Sequence, residues 1–216
     1  MRTHKCILLI TAFFLLASLF ACKEGDSGQS QSEPPPLESL ESGMLTITFN
    51  YENQSGSASN QFAVWIEDMA GSYIQTLYVT RWTANGGYKS RPDSIALWVE
   101  KSGLDSLDST KKAQIDAVAG ATPRAGNLSY YWDLKDTNGE TVPPGEYKFF
   151  VEGTLRWKNY VLYSGTITIG GEAVTVTADA EFIYEASDRY DALTGDSPEN
   201  AMIGTVTAIF TPIDDK

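Results

Sequence analysis

From Met44 onward, apolar and polar residues alternate with the period of two that a half-buried β-strand requires. Leu45, Ile47, Phe49 and Tyr51 interleave with Thr46, Thr48 and Asn50. Phe62, Val64 and Ile66 repeat the device, and Tyr147, Phe149 and Val151 alternate with Lys148, Phe150 and Glu152. Further strands are expected over Tyr73 to Trp82, Asn127 to Trp132, Val161 to Ile169, Ala173 to Tyr184 and Thr205 to Phe210, about eight in all. Gly86-Gly87, Asn138-Gly139, Pro144-Gly145 and Gly170-Gly171 stand between them as turn formers. The spacing suits a sandwich rather than a series of βαβ units. Two short helices are expected, over Ser94 to Lys101 and Asp108 to Ala119. The second opens on Asp108-Ser109-Thr110, which supply caps, and stops at Gly120.

The N-terminus has a different pattern. Arg2 and Lys5 lie in a first segment without acids, and Ile7 to Phe20 carries no charge. A basic start followed by a short apolar run is the layout of a secretory signal peptide. A bilayer span takes ~20 apolar residues, more than this run supplies. The run stops at Leu19-Phe20-Ala21-Cys22, which resembles the lipobox of bacterial lipoproteins, although Phe20 is bulkier than is usual at its place. The resemblance implies removal of residues 1–21 and acylation of Cys22, with membrane attachment through that lipid anchor. It implies a location in the cell envelope, and Lys23 in place of an aspartate implies the outer-membrane default in a Gram-negative cell. Residues 22–43, with Gly25 to Pro36 rich in Ser, Gln and Pro, read as a disordered tether. Residues 44–216 read as one domain.

Cleavage before Cys22 changes the chemical inventory. The only histidine, His4, leaves with the signal peptide, and so does Cys6. Without imidazole or free thiol, Ser-His-Asp and Cys-His catalysis are excluded, as are the usual zinc sites and disulfides. Carboxylates, Lys, Tyr and Ser/Thr remain. Removing Arg2 and Lys5 from 16 basic residues leaves 14 against 28 acids, a net charge of −14. Such a surface repels nucleic acid.

The most specific text runs from Trp132 through Asp136-Thr137-Asn138-Gly139 and Val142-Pro143-Pro144-Gly145 to Tyr147: a strand end, a turn, a rigid corner and a new strand. It resembles the Ig-like module of flagellar hook-capping proteins. Together with the upstream Asp116 to Pro123 and the downstream Val151-Glu152-Gly153, it resembles an uncharacterised periplasmic family, a domain of unknown function often encoded near flavin transferases and membrane reductases. The expected fold is therefore all-β: an Ig-like antiparallel β-sandwich with one or two short inserted helices.

Asp116-Ala117-Val118-Ala119-Gly120-Ala121-Thr122 also resembles the flavinylation motif of flavin-carrying subunits in sodium-translocating quinone reductases. That motif is Asp, two variable residues, Ser or Thr, Gly, Ala, then Ser or Thr. The resemblance implies covalent FMN on Thr122, clearance from Gly120 and Ala121, and Asp116 as the motif acid. Ala119 departs, since a hydroxyl residue belongs there. The segment also reads as a helix end capped by Gly120 with a loop opening at Thr122-Pro123. Asp191 to Ser197 is a second partial match, lacking the alanine.

Two other constellations stand out. Arg81, Trp82, Lys89, Arg91, Arg156, Trp157 and Lys158 concentrate cations and indoles in an acidic chain. They read either as a stacking site for a planar anion such as flavin or as sandwich core and edge residues. Asp188, Asp191, Asp196 and Glu199 crowd one loop without the ligand cadence of a calcium site, and read as a solvated acidic loop. In rank order, the sequence reads as a non-enzymatic binding or accessory protein of the envelope, a flavin-bearing electron carrier, or a carboxylate-based hydrolase.

Overall fold

The computed structural model describes residues 42–53, 60–154, 159–183 and 202–213. The expected signal peptide, Cys22 and the tether lie outside these residues. So do Arg156, Trp157, Lys158, the acidic loop and its second partial motif. The described strands are β1 (Gly43–Tyr51), β2 (Phe62–Asp68), β3 (Tyr73–Thr80), β4 (Ala119–Gly120), β5 (Gly126–Trp132), β6 (Gly145–Thr154), β7 (Tyr160–Ile169), β8 (Val174–Thr177), β9 (Asp179–Ile183) and β10 (Thr207–Pro212). Three helices, α1 (Arg81–Ala84), α2 (Ala96–Ser102) and α3 (Ser109–Val118), all fall between β3 and β4.

The strands form two sheets, in the orders β5-β1-β10-β8 and β4-β3-β2-β6-β7-β9. The fold is an all-β sandwich with a few short helices. Leu45, Ile47, Phe49 and Tyr51 of β1 turn into the space between the sheets, where Val64, Ile66, Phe149, Val151 and Phe210 meet them. This is the alternation expected of a strand with one buried face.

The larger sheet departs from that pattern, because both its faces are covered. Ala63 and Trp65 are as fully buried as Phe62, Val64 and Ile66. They face a second core with Val79, Ile95, Trp98, Leu104, Ile115 and Ala119, supplied largely by the helical excursion between β3 and β4. Trp65 stacks on Phe150 there, with centroids 5.0 Å apart and planes at 10°. A central strand sandwiched between two apolar layers loses its alternation and reads as continuous apolar text.

Three boundaries differ from expectation in ways that bear on the fold. The strand expected over Tyr73 to Trp82 ends at Thr80, and Arg81 and Trp82 start α1. The strand expected over Ala173 to Tyr184 divides at Ala178 into β8 and β9, which belong to different sheets. Ala178 donates its N–H to the carbonyl of Val206 at 2.9 Å, so the chain crosses between sheets without leaving that group unpaired. The helix expected over Asp108 to Ala119 closes at Val118. Asp108 caps it as expected, its carboxylate accepting from the Lys111 N–H at 2.9 Å. Gly120, expected as the helix stop, instead joins Ala119 in β4, which pairs parallel to β3 through Val79↔Ala119 and Thr80↔Gly120. Among the described residues, no helix is long and apolar enough to cross a membrane.

Candidate functional site

The parallel pairing of β3 with β4 determines what lies at the sheet edge. Two parallel strands deliver their succeeding residues to the same end, the arrangement in which open sheets place ligands beyond the strands' carboxyl ends. Arg81 and Trp82 come directly after β3, and Ala121 and Thr122 directly after β4. They wall one open groove of about 620 Å³, with Arg81, Trp82 and the Asn85–Gly87 turn on one side and Gly120, Ala121 and Thr122 on the other.

Three contacts fix the loop that carries Thr122. Arg81 donates through Nη2 to the Ala119 carbonyl at 3.2 Å. Tyr78 donates its hydroxyl to the Ala121 carbonyl at 2.8 Å. Burial pushes the Tyr78 phenol up to about 12, with Arg81 pulling the other way, so the phenol keeps its proton at neutral pH. Gly120 lies directly on the Tyr78 ring: a Cβ there would sit 2.6 Å from Cε2. Tyr78 is itself locked by stacking on Phe62 (4.9 Å) and contact with Tyr130 (4.8 Å). The loop is therefore tied to the intersheet core. Thr122 precedes Pro123 and is restricted to extended conformations, and it is exposed.

The need for glycine at 120 is testable. Gly120→Ala is expected to cost about 1–3 kcal/mol, because Tyr78 is too well packed to give way. Tyr78→Phe, which removes only the hydroxyl, is expected to cost about 1 kcal/mol. Urea denaturation measures both, and a Gly120→Ala variant as stable as the parent would show that the edge strand slides.

The remaining members of the sequence-predicted site sit nearby. Asp116 is exposed in the last turn of α3, where its backbone carbonyl accepts the Ala119 N–H. Its side chain borders a second groove of about 370 Å³ with Lys89 and Lys112. Asn85 and Gly86 form the ridge shared by the two grooves. Ala119, where the motif calls for a hydroxyl, is buried against the second core. Trp82 is 46% exposed, which excludes the core reading of that residue. Lys89 pairs loosely with Asp105 at 3.8 Å. Among the described residues, no group of three or more His, Cys, Asp or Glu side chains is placed to hold a metal ion.

Sequence reasoning missed Tyr78 as the anchor of the Thr122 loop. It lies inside a strand and carries no local signal, since its partner is 43 residues away. It also missed Glu152 and Thr154. These β6 residues point at the helical layer, where Glu152 accepts from the backbone N–H groups of Leu97 (3.3 Å) and Trp98 (2.8 Å) and Thr154 accepts from Ile95 (3.1 Å).

A family model described as "Predicted periplasmic protein (DUF2271)" matches residues 44–186, more than half of the chain. No curated protein and no solved structure matches it.

Proposed function

This chain belongs to the predicted periplasmic protein family DUF2271, and on that premise we propose that it is a lipid-anchored, non-enzymatic electron carrier bearing covalent FMN on Thr122. Membership makes it an extracytoplasmic protein. The lipid anchor at Cys22 and the flavin are this reading's own additions. The observation that carries the flavin is the groove itself, in which an exposed threonine just after β4 shares the walls with the guanidinium and indole of Arg81 and Trp82 just after β3.

The residues present suit the group. Thr122 offers an accessible hydroxyl beside small residues, as a modifying enzyme requires. Gly120 and Ala121 keep side-chain bulk away from it. The Ala119 departure falls on a buried packing position rather than on the exposed acceptor, so it leaves the acceptor's surroundings intact. Attachment forms an ester between Thr122 Oγ1 and the FMN phosphorus. The hydroxyl proton and the AMP half of a flavin dinucleotide donor leave. When bound, FMN supplies one- and two-electron transfer. The chain's part is to hold the group at the outer edge of the sheet, within reach of a membrane reductase. An extracytoplasmic flavin transferase is the implied modifying partner.

The test is co-expression with such a transferase, followed by intact mass and visible absorbance. The expected result is a yellow protein with the mass of one FMN ester, and complete loss of both in Thr122→Ala. Adduct on Ser197 would move the site to the second partial motif. A colourless protein of unmodified mass, beside a transferase active on a control substrate, overturns the carrier and leaves the accessory-protein reading.

A further inference from the structure

The groove contains more than an attachment point. Trp82 lies against Gly87 so closely that a Cβ on that glycine would come within 2.4 Å of the indole Cδ2. One side of the ring is thus seated on backbone, and the position tolerates only glycine. Among the described residues, no aromatic ring packs on Trp82, and nearly half of its surface stays open. A large apolar ring fixed against backbone but left unpaired is a platform rather than a core residue.

Arg81 adds charge to the same wall. Its guanidinium makes one described hydrogen bond, to the Ala119 carbonyl, and no described carboxylate lies within ion-pair distance of it. Guanidinium and indole together select a planar aromatic group that carries negative charge. The groove's volume of about 620 Å³ falls within the ~300–1,000 Å³ range of small-molecule sites.

We propose that this wall is the resting place of the flavin ring system, with Trp82 as the stacking face and Arg81 as the partner of the phosphate. The inference rests on the reading that Thr122 carries FMN, because it takes the tethered flavin as the occupant. It adds which residues position the ring. A short tether gives an effective concentration in the millimolar range, so even weak stacking keeps the ring on Trp82. Trp82 and Arg81 are positioning residues, and they do not take part in attachment.

The measurement is flavin fluorescence per attached flavin, since an indole stacked on an isoalloxazine quenches it. In the flavinylated protein the emission should be low. Trp82→Leu should raise it several-fold at unchanged flavin stoichiometry by mass. Trp82 is half exposed, so this variant is expected to fold. Equal emission from the two proteins overturns the stacking assignment while leaving attachment intact. If no covalent flavin forms, the unmodified protein is titrated with FMN and with riboflavin up to millimolar concentration. Quenching that Trp82→Leu abolishes, stronger for FMN than for riboflavin and levelled by Arg81→Gln, supports the platform even though the attachment reading has failed. No Trp82-dependent quenching in that titration overturns the platform as well.

Discussion

Replacing Trp65 with alanine is expected to remove about 3–5 kcal/mol of stability through lost packing alone. The site has little means of collapsing around the void. Trp65 is fully buried in β2, has β3 on one side and β6 on the other, and stacks on Phe150. A polar cost adds to this. The indole Nε1–H donates to Glu67 Oε1 at 2.8 Å, and the other Glu67 oxygen is paired with Lys101 at 3.1 Å. Glu67 is itself buried, so losing one of its donors costs about 1–3 kcal/mol more. The sum approaches the whole stability of an ordinary domain, ~5–15 kcal/mol. Trp65→Phe removes the donor and the five-membered half of the indole but keeps a six-membered ring for Phe150, and is expected to cost less than alanine, about 1–3 kcal/mol. Urea denaturation of both variants decides. A Trp65→Ala protein within about 1 kcal/mol of the parent would mean that the second core contributes little. The consequence reaches the site, because the same core holds Val79 and Ala119, the pair that aligns β3 with β4.

That second core is also where the sequence was least legible. β1, β6 and β7 were readable because one of their faces looks into the intersheet space and the side-chain period shows it. In β2, Phe62 to Ile66 is a continuous apolar run, which fits a strand buried on both faces but does not say what covers the second one. Of the two longer helices, α3 was readable from its Asp108 cap, whereas α2 has no side-chain cap and its start fell two residues later than expected. α1 was not readable, because four residues are too few to establish a period and Arg81-Trp82 follows directly on the β3 pattern without a turn residue. β4 was illegible for a different reason: two residues paired parallel to a strand 40 positions earlier leave no local pattern. The motif residues at Asp116, Gly120, Ala121 and Thr122 could be named from sequence by resemblance. Their proximity to Arg81 and Trp82 could not, because it depends on that short parallel pair.

The stability of the folded protein is expected to fall by about 3 kcal/mol as pH rises from 4.5 to 7, and Glu152 is the cause. Its carboxyl lies on β6 beneath α2, without solvent contact, and burial pushes it from 4.5 up to about 7 against the pull of the Trp98 and Leu97 N–H groups. Below pH 4.5 both the folded and the unfolded chain hold the proton, and Glu152 contributes no pH dependence. Between 4.5 and about 7 the unfolded chain releases the proton while the folded chain retains it, so unfolding gains with each unit of pH. Above about 7 both are ionised and the curve flattens. Asp68 works in a separate range, since the Ser72 backbone N–H holds it below its ordinary 3.8 and its effect is confined to more acidic solution. The buried carboxyl has a structural task in what it holds in place. Ile95, directly before α2, sits at φ 44°, an unfavourable conformation for a β-branched residue. Its N–H is taken by Thr154, and the next free donors of that turn by Glu152. Glu152→Gln keeps the shape but cannot titrate, so its stability should be level from about pH 4.5 to 7.5 while the parent's declines. Urea denaturation of both proteins across that range gives the difference directly. Parallel curves for the two would assign the decline to another group, and a level parent curve would show that the buried carboxylate ionises at its ordinary pH.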